Sequence, residues 1–125
     1  MKILNFLAVG LGGALGASAR YALGLIPIKT DFPFITLFIN LFGALIIGFI
    51  SGVSESTGLN GKLVLFLKTG VCGGFTTFST FSLETWKLLE GGKHFMAAGY
   101  ALLSVALCVI GVIIGEYLAK RLVKA

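Results

Sequence analysis

Charge is what this sequence has least of. Only 12% of its 125 residues are Asp, Glu, Lys or Arg, and 10 bases outnumber 5 acids. So little ionic surface leaves almost nothing to hold a folded chain in water. Histidine is nearly absent. His94 stands alone in a Gly-Gly-Lys-His connection between apolar runs, badly placed for a proton relay buried in a membrane. No Ser/His/Asp set, no paired acid and base and no phosphate loop can be found, which makes a membrane-embedded enzyme the least supported class. The cysteines are Cys72 and Cys108, both within apolar segments. Without a C-x-x-C or a Cys/His cluster, neither a disulfide frame nor a zinc site is argued, and both read as small apolar packers.

What the chain does have is apolar length. It is 57% hydrophobic, with a mean hydropathy of +1.01. A membrane helix needs roughly 20 apolar residues to cross a hydrocarbon core of about 30 Å. Four such segments fit, at about 3–25, 33–53, 63–87 and 95–118. The expected fold is an all-α integral membrane protein, a single four-helix domain over residues 1–125 with short connections. Pro27, Lys29, Asp31 and Pro33 mark one connection, and Ser54 to Gly61 another. Ile3 to Ala19 raises the question of a cleaved signal peptide. Only Lys2 precedes the run, and apolar character resumes after Arg20, so a retained helix is the better reading. Net charge +5 could suggest nucleic acid, but Lys120, Arg121 and Lys124 crowd the tail just after an apolar helix, as an interfacial anchor would.

Glycine is abundant, at 18 residues, and much of it is spaced. Gly12/Gly16, Gly48/Gly52, Gly70/Gly74 and Gly111/Gly115 each form a G-x-x-x-G, the spacing that lets two helix backbones approach closely. One such motif in every segment predicts helices packed on all sides, more than four isolated helices could readily supply.

The organising stretch is Gly70 to Ser82, which reads G-V-C-G-G-F-T-T-F-S-T-F-S. Adjacent Gly73 and Gly74, followed by Thr76, Thr77, Ser79, Thr80 and Ser82, favour a break between two half-helices. A break at membrane depth frees backbone groups, and these are tolerated only where they are buried in protein or line a cavity. Phe75, Phe78 and Phe81 recur every third residue, near one side of a helix. A helix interface of small and hydroxyl residues fits the same spacing. Elsewhere, Thr36 and Asn40 share a face, as do Tyr100, Ser104 and Cys108; each set serves either helix packing or a polar path. Arg20 either snorkels to headgroups or provides a positive charge at a water-filled vestibule. Glu84 lies near an interface, either solvated or as a gating carboxylate, and Trp86 suits the membrane boundary.

Three motifs in order, G-G-A-L-G-A-S-A-R-Y (Gly12 to Tyr21), T-L-F-I-N-L-F-G (Thr36 to Gly43) and G-x-x-G-G-F-T-T-F-S-T-F-S (Gly70 to Ser82), resemble the Fluc (CrcB) fluoride channel family across nearly the whole chain. Ala44 departs from the small polar residue associated with its place. The resemblance implies a homodimer of subunits in opposite orientations, within the cytoplasmic (inner) cell membrane. Lysines and arginines fall on both sides of the bilayer, so charge does not fix one orientation. It implies a structural sodium ion on the dimer axis, held by the backbone carbonyls of Gly73 and Thr76. It also implies two pores lined by Phe78 and Phe81, with Asn40 as a pore residue. Thr77, Ser79, Thr80, Tyr100 and Ser104 would belong to a polar track, with Arg20 and Glu84 near the pore ends. The expected activity is passive, selective export of fluoride, with no nucleic-acid partner. A small proton-coupled multidrug transporter is the alternative; it needs an intramembrane carboxylate, which the first two segments lack. A non-transporting scaffold would explain the glycines but not the phenylalanine and hydroxyl cluster.

Overall fold

The computed structural model describes residues 1–125 and is entirely helical. Helix α1 spans Lys2–Gly24, α2 spans Phe34–Thr57 and the last helix spans His94–Lys124. The third span, Gly61–Glu90, is interrupted: residues 61–75 form α3 and Phe78–Glu90 form α4, which makes the last helix α5. All four spans are long and apolar enough to cross a membrane. Helix α5 continues through the basic tail, where Lys120 pairs with Glu116 one turn back and with Glu55 of α2. Cations in the last turn also suit the negative end of the helix dipole.

The third span breaks as its composition suggests, yet not at the adjacent glycines. Gly73 and Gly74 are helical, and the chain becomes extended at Thr76 (φ −81°, ψ 156°) and Thr77 (φ −150°, ψ 119°). Gly74 is there for proximity instead: a Cβ on it would lie 3.0 Å from the Cα of Gly13 and 3.1 Å from the amide of Ala17. Thr76 ends α3 by turning its own hydroxyl back onto the Cys72 carbonyl, at 2.8 Å, which also accepts its amide at 2.9 Å. One feature of α3 has no signal in the sequence. Residues Leu65–Cys72 take the wider π-helical winding, a departure that tends to occur at functional sites.

The spaced glycines pack within the subunit, which corrects the expectation that they call for helices on every side. Gly12 and Gly16 of α1 face Gly70, Val71 and Phe75 of α3, while Gly70 and Gly74 face back onto Val9, Gly12, Gly13 and Ala17. In the same way Gly48 and Gly52 of α2 meet Val112, Glu116 and Ala119 of α5, and Gly111 and Gly115 meet Leu41, Ala44, Leu45 and Phe49. The motifs interlock two by two, and four helices suffice. The result is a pair of tight two-helix units, α1 with α3 and α2 with α5. Helix α4 lies on α5, where Leu88, Ala97 and Tyr100 form a small core flanked by Phe32, Leu37, Phe81 and Met96.

Close approach of this kind makes a clear prediction. Gly48→Val would drive a side chain into the backbone of Val112 and is expected to destabilise by about 1–3 kcal/mol or more, the usual range for overpacking. Gly24→Ala, with no neighbour within 4 Å of the new Cβ, is expected to leave stability unchanged or raise it by up to about 1 kcal/mol. Thermal unfolding of both variants in detergent checks the contrast.

Candidate functional site

The break at Thr76 and Thr77 leaves backbone groups without helical partners, and α1, α2 and α4 each supply replacements. From α2, the side-chain amide of Asn40 closes on both faces of one residue. Its Oδ1 accepts from the Thr77 amide at 2.8 Å and its Nδ2 donates to the Thr77 carbonyl at 3.1 Å. From α1, the Arg20 Nε donates to the Gly74 carbonyl at 3.1 Å, placing a positive charge at the negative end of α3. Thr77 itself caps α4. Its Oγ1 accepts from the Thr80 amide at 3.2 Å and donates to the Thr80 Oγ1 at 3.0 Å. Carbonyls of Gly73 and Thr76 accept none of the hydrogen bonds in or around the break.

Beside this clamp runs a groove of about 320 Å³. One wall is Thr76, Thr77, Phe78 and Phe81, and the other comes from α2 (Asn40, Ala44, Ile47) and α5 (Ser104, Val105, Cys108, Val112). Phe78 and Phe81 are tilted neighbours, with ring centroids 5.6 Å apart, and Phe81 rests on Tyr100 at 5.1 Å. The rings sit at successive turns because they are three residues apart on a helix that starts at the break. Two hydroxyls are left over: Tyr100, fully buried, and Ser104, buried in the groove wall, have no hydrogen-bond partner. Asn40 keeps one amide hydrogen that Thr77 does not use.

A smaller cavity of about 220 Å³ lies on the other side of Thr77, lined by Arg20, Tyr21, Thr36 and Thr80 among others. Thr36 donates from its Oγ1 to the Glu84 Oε1 at 2.5 Å, which ties α2 to α4. The residues singled out in the sequence thus divide. Asn40, Thr77, Phe78, Phe81 and Ser104 line one groove, Thr80 and Arg20 line the next cavity, and Tyr100 lies beneath Phe81. Ser79 is exposed on the outer face, within 3.5 Å of the Thr77 hydroxyl, and Phe78 is 79% exposed. Gly73 is also exposed, and Thr76 is half-buried in the groove wall. Sequence reasoning missed the Thr36–Glu84 bond and the grip of Arg20 on Gly74. The first had a signal, since Thr36 and Asn40 share a face; Cys108, on one face with Ser104, does line the groove.

Residues 7–116 match the family described as CrcB-like protein, Camphor Resistance (CrcB). The chain belongs to the CrcB family. Its relatives include a protein from Ruminiclostridium cellulolyticum, 45% identical over 97% of this chain and 96% of its own length, and one from Chlorobium chlorochromatii, 46% identical over 97% and 90%. Another, from Ignicoccus hospitalis, is 42% identical over 99% and 100%. All three bear the name Fluoride-specific ion channel FluC. Membership in CrcB, together with four apolar spans, makes this a multi-pass membrane protein from a family of channels, not of enzymes.

The clamp on Thr77 can be tested by itself. Asn40→Leu leaves the Thr77 amide and carbonyl unpaired, and each buried unsatisfied group costs about 1–3 kcal/mol. The variant is expected to lose stability on that scale. The Thr77 amide, protected from hydrogen exchange in the wild type, should exchange freely.

Proposed function

We propose that the protein is a fluoride-selective channel that lets fluoride leave the cytoplasm passively, driven by a negative-inside membrane potential. The observation that carries the reading is the broken third span, whose clamped Thr77 opens onto the groove of Asn40, Phe78, Phe81 and Ser104. Three relatives named as fluoride channels match this chain over nearly its whole length, and they supply the identity of the ion. In the groove the ion would meet hydrogen-bond donors and aromatic edges. A ring edge carries partial positive charge, so Phe78 and Phe81 can turn their edges to a partly dehydrated anion. Ser104, Tyr100 and the spare amide hydrogen of Asn40 would take the place of lost water. Thr77, Ser79 and Thr80 would extend that polar track, with Arg20 and Glu84 towards its ends. Conduction then needs binding strong enough to admit the ion and weak enough to release it.

The working unit in this reading is a homodimer of oppositely oriented subunits in the cytoplasmic membrane, with a pore on each side of its axis. Support comes from what a lone subunit would show to lipid. Gly73 and Ser79 are exposed near the middle of the third span, and Phe78 in the groove wall is 79% exposed. Polar groups there call for protein rather than hydrocarbon. A structural sodium ion fits the end of α3. The Gly73 and Thr76 carbonyls are hard oxygen donors left unpaired by the break, and no cluster of His, Cys, Asp or Glu competes for a metal. Such an ion would supply positive charge to those carbonyls and join two breaks across the axis.

Efflux from liposomes tests the reading. With a potassium gradient and valinomycin setting the voltage and no proton gradient, wild-type protein is expected to release fluoride and retain chloride. Flux that starts only when a proton gradient is imposed would overturn it in favour of a coupled transporter. Phe78→Ile and Phe81→Ile should each keep the dimer and cut fluoride flux at least tenfold, about 1.4 kcal/mol on the barrier to permeation.

A further inference from the structure

A second polar cavity, of about 360 Å³, lies at the end of the bundle opposite the chain termini. The connection between α1 and α2 gives it Thr30, Asp31, Phe32 and Pro33, and α4 with its following turn gives Glu84, Lys87, Leu88, Gly91 and Lys93. Across it Asp31 and Lys93 form an ion pair. Both ends of that pair are held by backbone turns. The Phe32 amide donates to the Thr30 Oγ1 at 3.3 Å beside Asp31, and the Lys93 amide donates to the Leu88 carbonyl at 2.8 Å after a turn through Gly92, whose φ is +75°.

We propose that this cavity is the mouth through which the anion reaches the groove, and that Asp31, by pairing with Lys93, limits how strongly the mouth attracts it. This rests on the channel reading above. Position is the first argument. Phe32 packs edge-on against Tyr100 at 5.5 Å, and Leu88 shares a core with Tyr100. Tyr100 in turn carries Phe81, a wall of the groove, so the cavity and the groove are separated by one layer of side chains. Charge is the second argument. Lys87 faces Glu84 in the cavity wall, and Lys93 faces Asp31, so the four formal charges cancel. Removing Asp31 alone turns the mouth net positive, and removing Lys93 alone turns it net negative. The pair matters little to the fold. Its side chains are 41% and 67% exposed, exposed pairs of this kind contribute little, and Phe32 already anchors the connection. What the pair does control is the field that an arriving anion meets.

The test is fluoride efflux at low fluoride, from neutral liposomes, at about 0.01 M and about 1 M ionic strength, where the Debye length is ~30 Å and ~3 Å. At low ionic strength Asp31→Asn is expected to raise flux about two- to threefold, and Lys93→Met to lower it by a similar factor, as one unit charge several ångströms away would. Lys87→Gln should also lower it, while the exchange D31K with K93D, which keeps both pair and net charge, should stay close to wild type. At high ionic strength all four should converge. Effects in the same direction for Asp31→Asn and Lys93→Met, effects that persist in high salt, or none at low salt with wild-type flux intact, would overturn the mouth assignment and leave the channel reading standing. Absence of wild-type flux would remove both. If Asp31→Asn fails to assemble by size exclusion, Lys87→Gln and the exchanged pair decide by the same criteria.

Discussion

A backbone that leaves its helix inside hydrocarbon must find every lost hydrogen bond elsewhere, and the rest of this molecule is arranged around meeting that demand at Thr76 and Thr77. Water cannot be relied on there, and each unmet group would cost several kcal/mol. The replacements are distributed. Asn40 takes both polar groups of Thr77, Arg20 takes the Gly74 carbonyl, and Thr77 caps the helix that follows. Because these partners sit on α1, α2 and α4, the break fixes how those helices stand relative to one another. It is a joint as much as an interruption.

Glycine makes that joint reachable. The α1–α3 and α2–α5 contacts are close enough that several glycines could not accept even a methyl group without moving backbone. With two units packed so tightly, the looser seam between them is where larger side chains and polar atoms collect. Asn40 crosses that seam from α2 to reach the break at α3's end, while Thr36 ties α2 to Glu84 on α4. Hence the groove and the smaller cavity that share Thr77 lie beside the break. They are what remains once the glycine interfaces have formed.

Much of this was legible in the sequence, for identifiable reasons. Hydropathy located the spans, since about 30 Å of hydrocarbon imposes a length that composition reveals directly. The mixture of glycine and hydroxyl residues located the break to within a few positions. The point of rupture within that stretch is not readable, because propensity cannot distinguish a glycine that frees the backbone from one that lets a neighbour approach; Gly74 is the second kind. The same ambiguity affected the G-x-x-x-G motifs, whose spacing reports close contact and not with whom. Asn40 stands out as a polar residue on one face with Thr36, yet its partner lies 37 positions away, and a pairing at that separation leaves no local trace. The bond from Arg20 to Gly74, across 54 positions, is hidden for the same reason.

The polar atoms left over after the joint is satisfied are not a random remainder. On the side chains of α2 and α5 they are donors: one amide hydrogen of Asn40 and the hydroxyls of Ser104 and Tyr100. On the backbone at the end of α3 they are acceptors, the carbonyls of Gly73 and Thr76. A folded protein rarely leaves buried polar groups unmatched, so the two buried hydroxyls call for an explanation. An anion can only accept and a cation can only be donated to by lone pairs, so the donors suit an anion and the acceptors suit a cation. One broken helix would therefore prepare two sites of opposite preference within a few residues. Asn40 stands between them: by engaging Thr77 at both ends it keeps that residue's carbonyl from joining the free acceptors beside the groove. Without that bond the groove would present an extra lone pair to the anion it is proposed to carry.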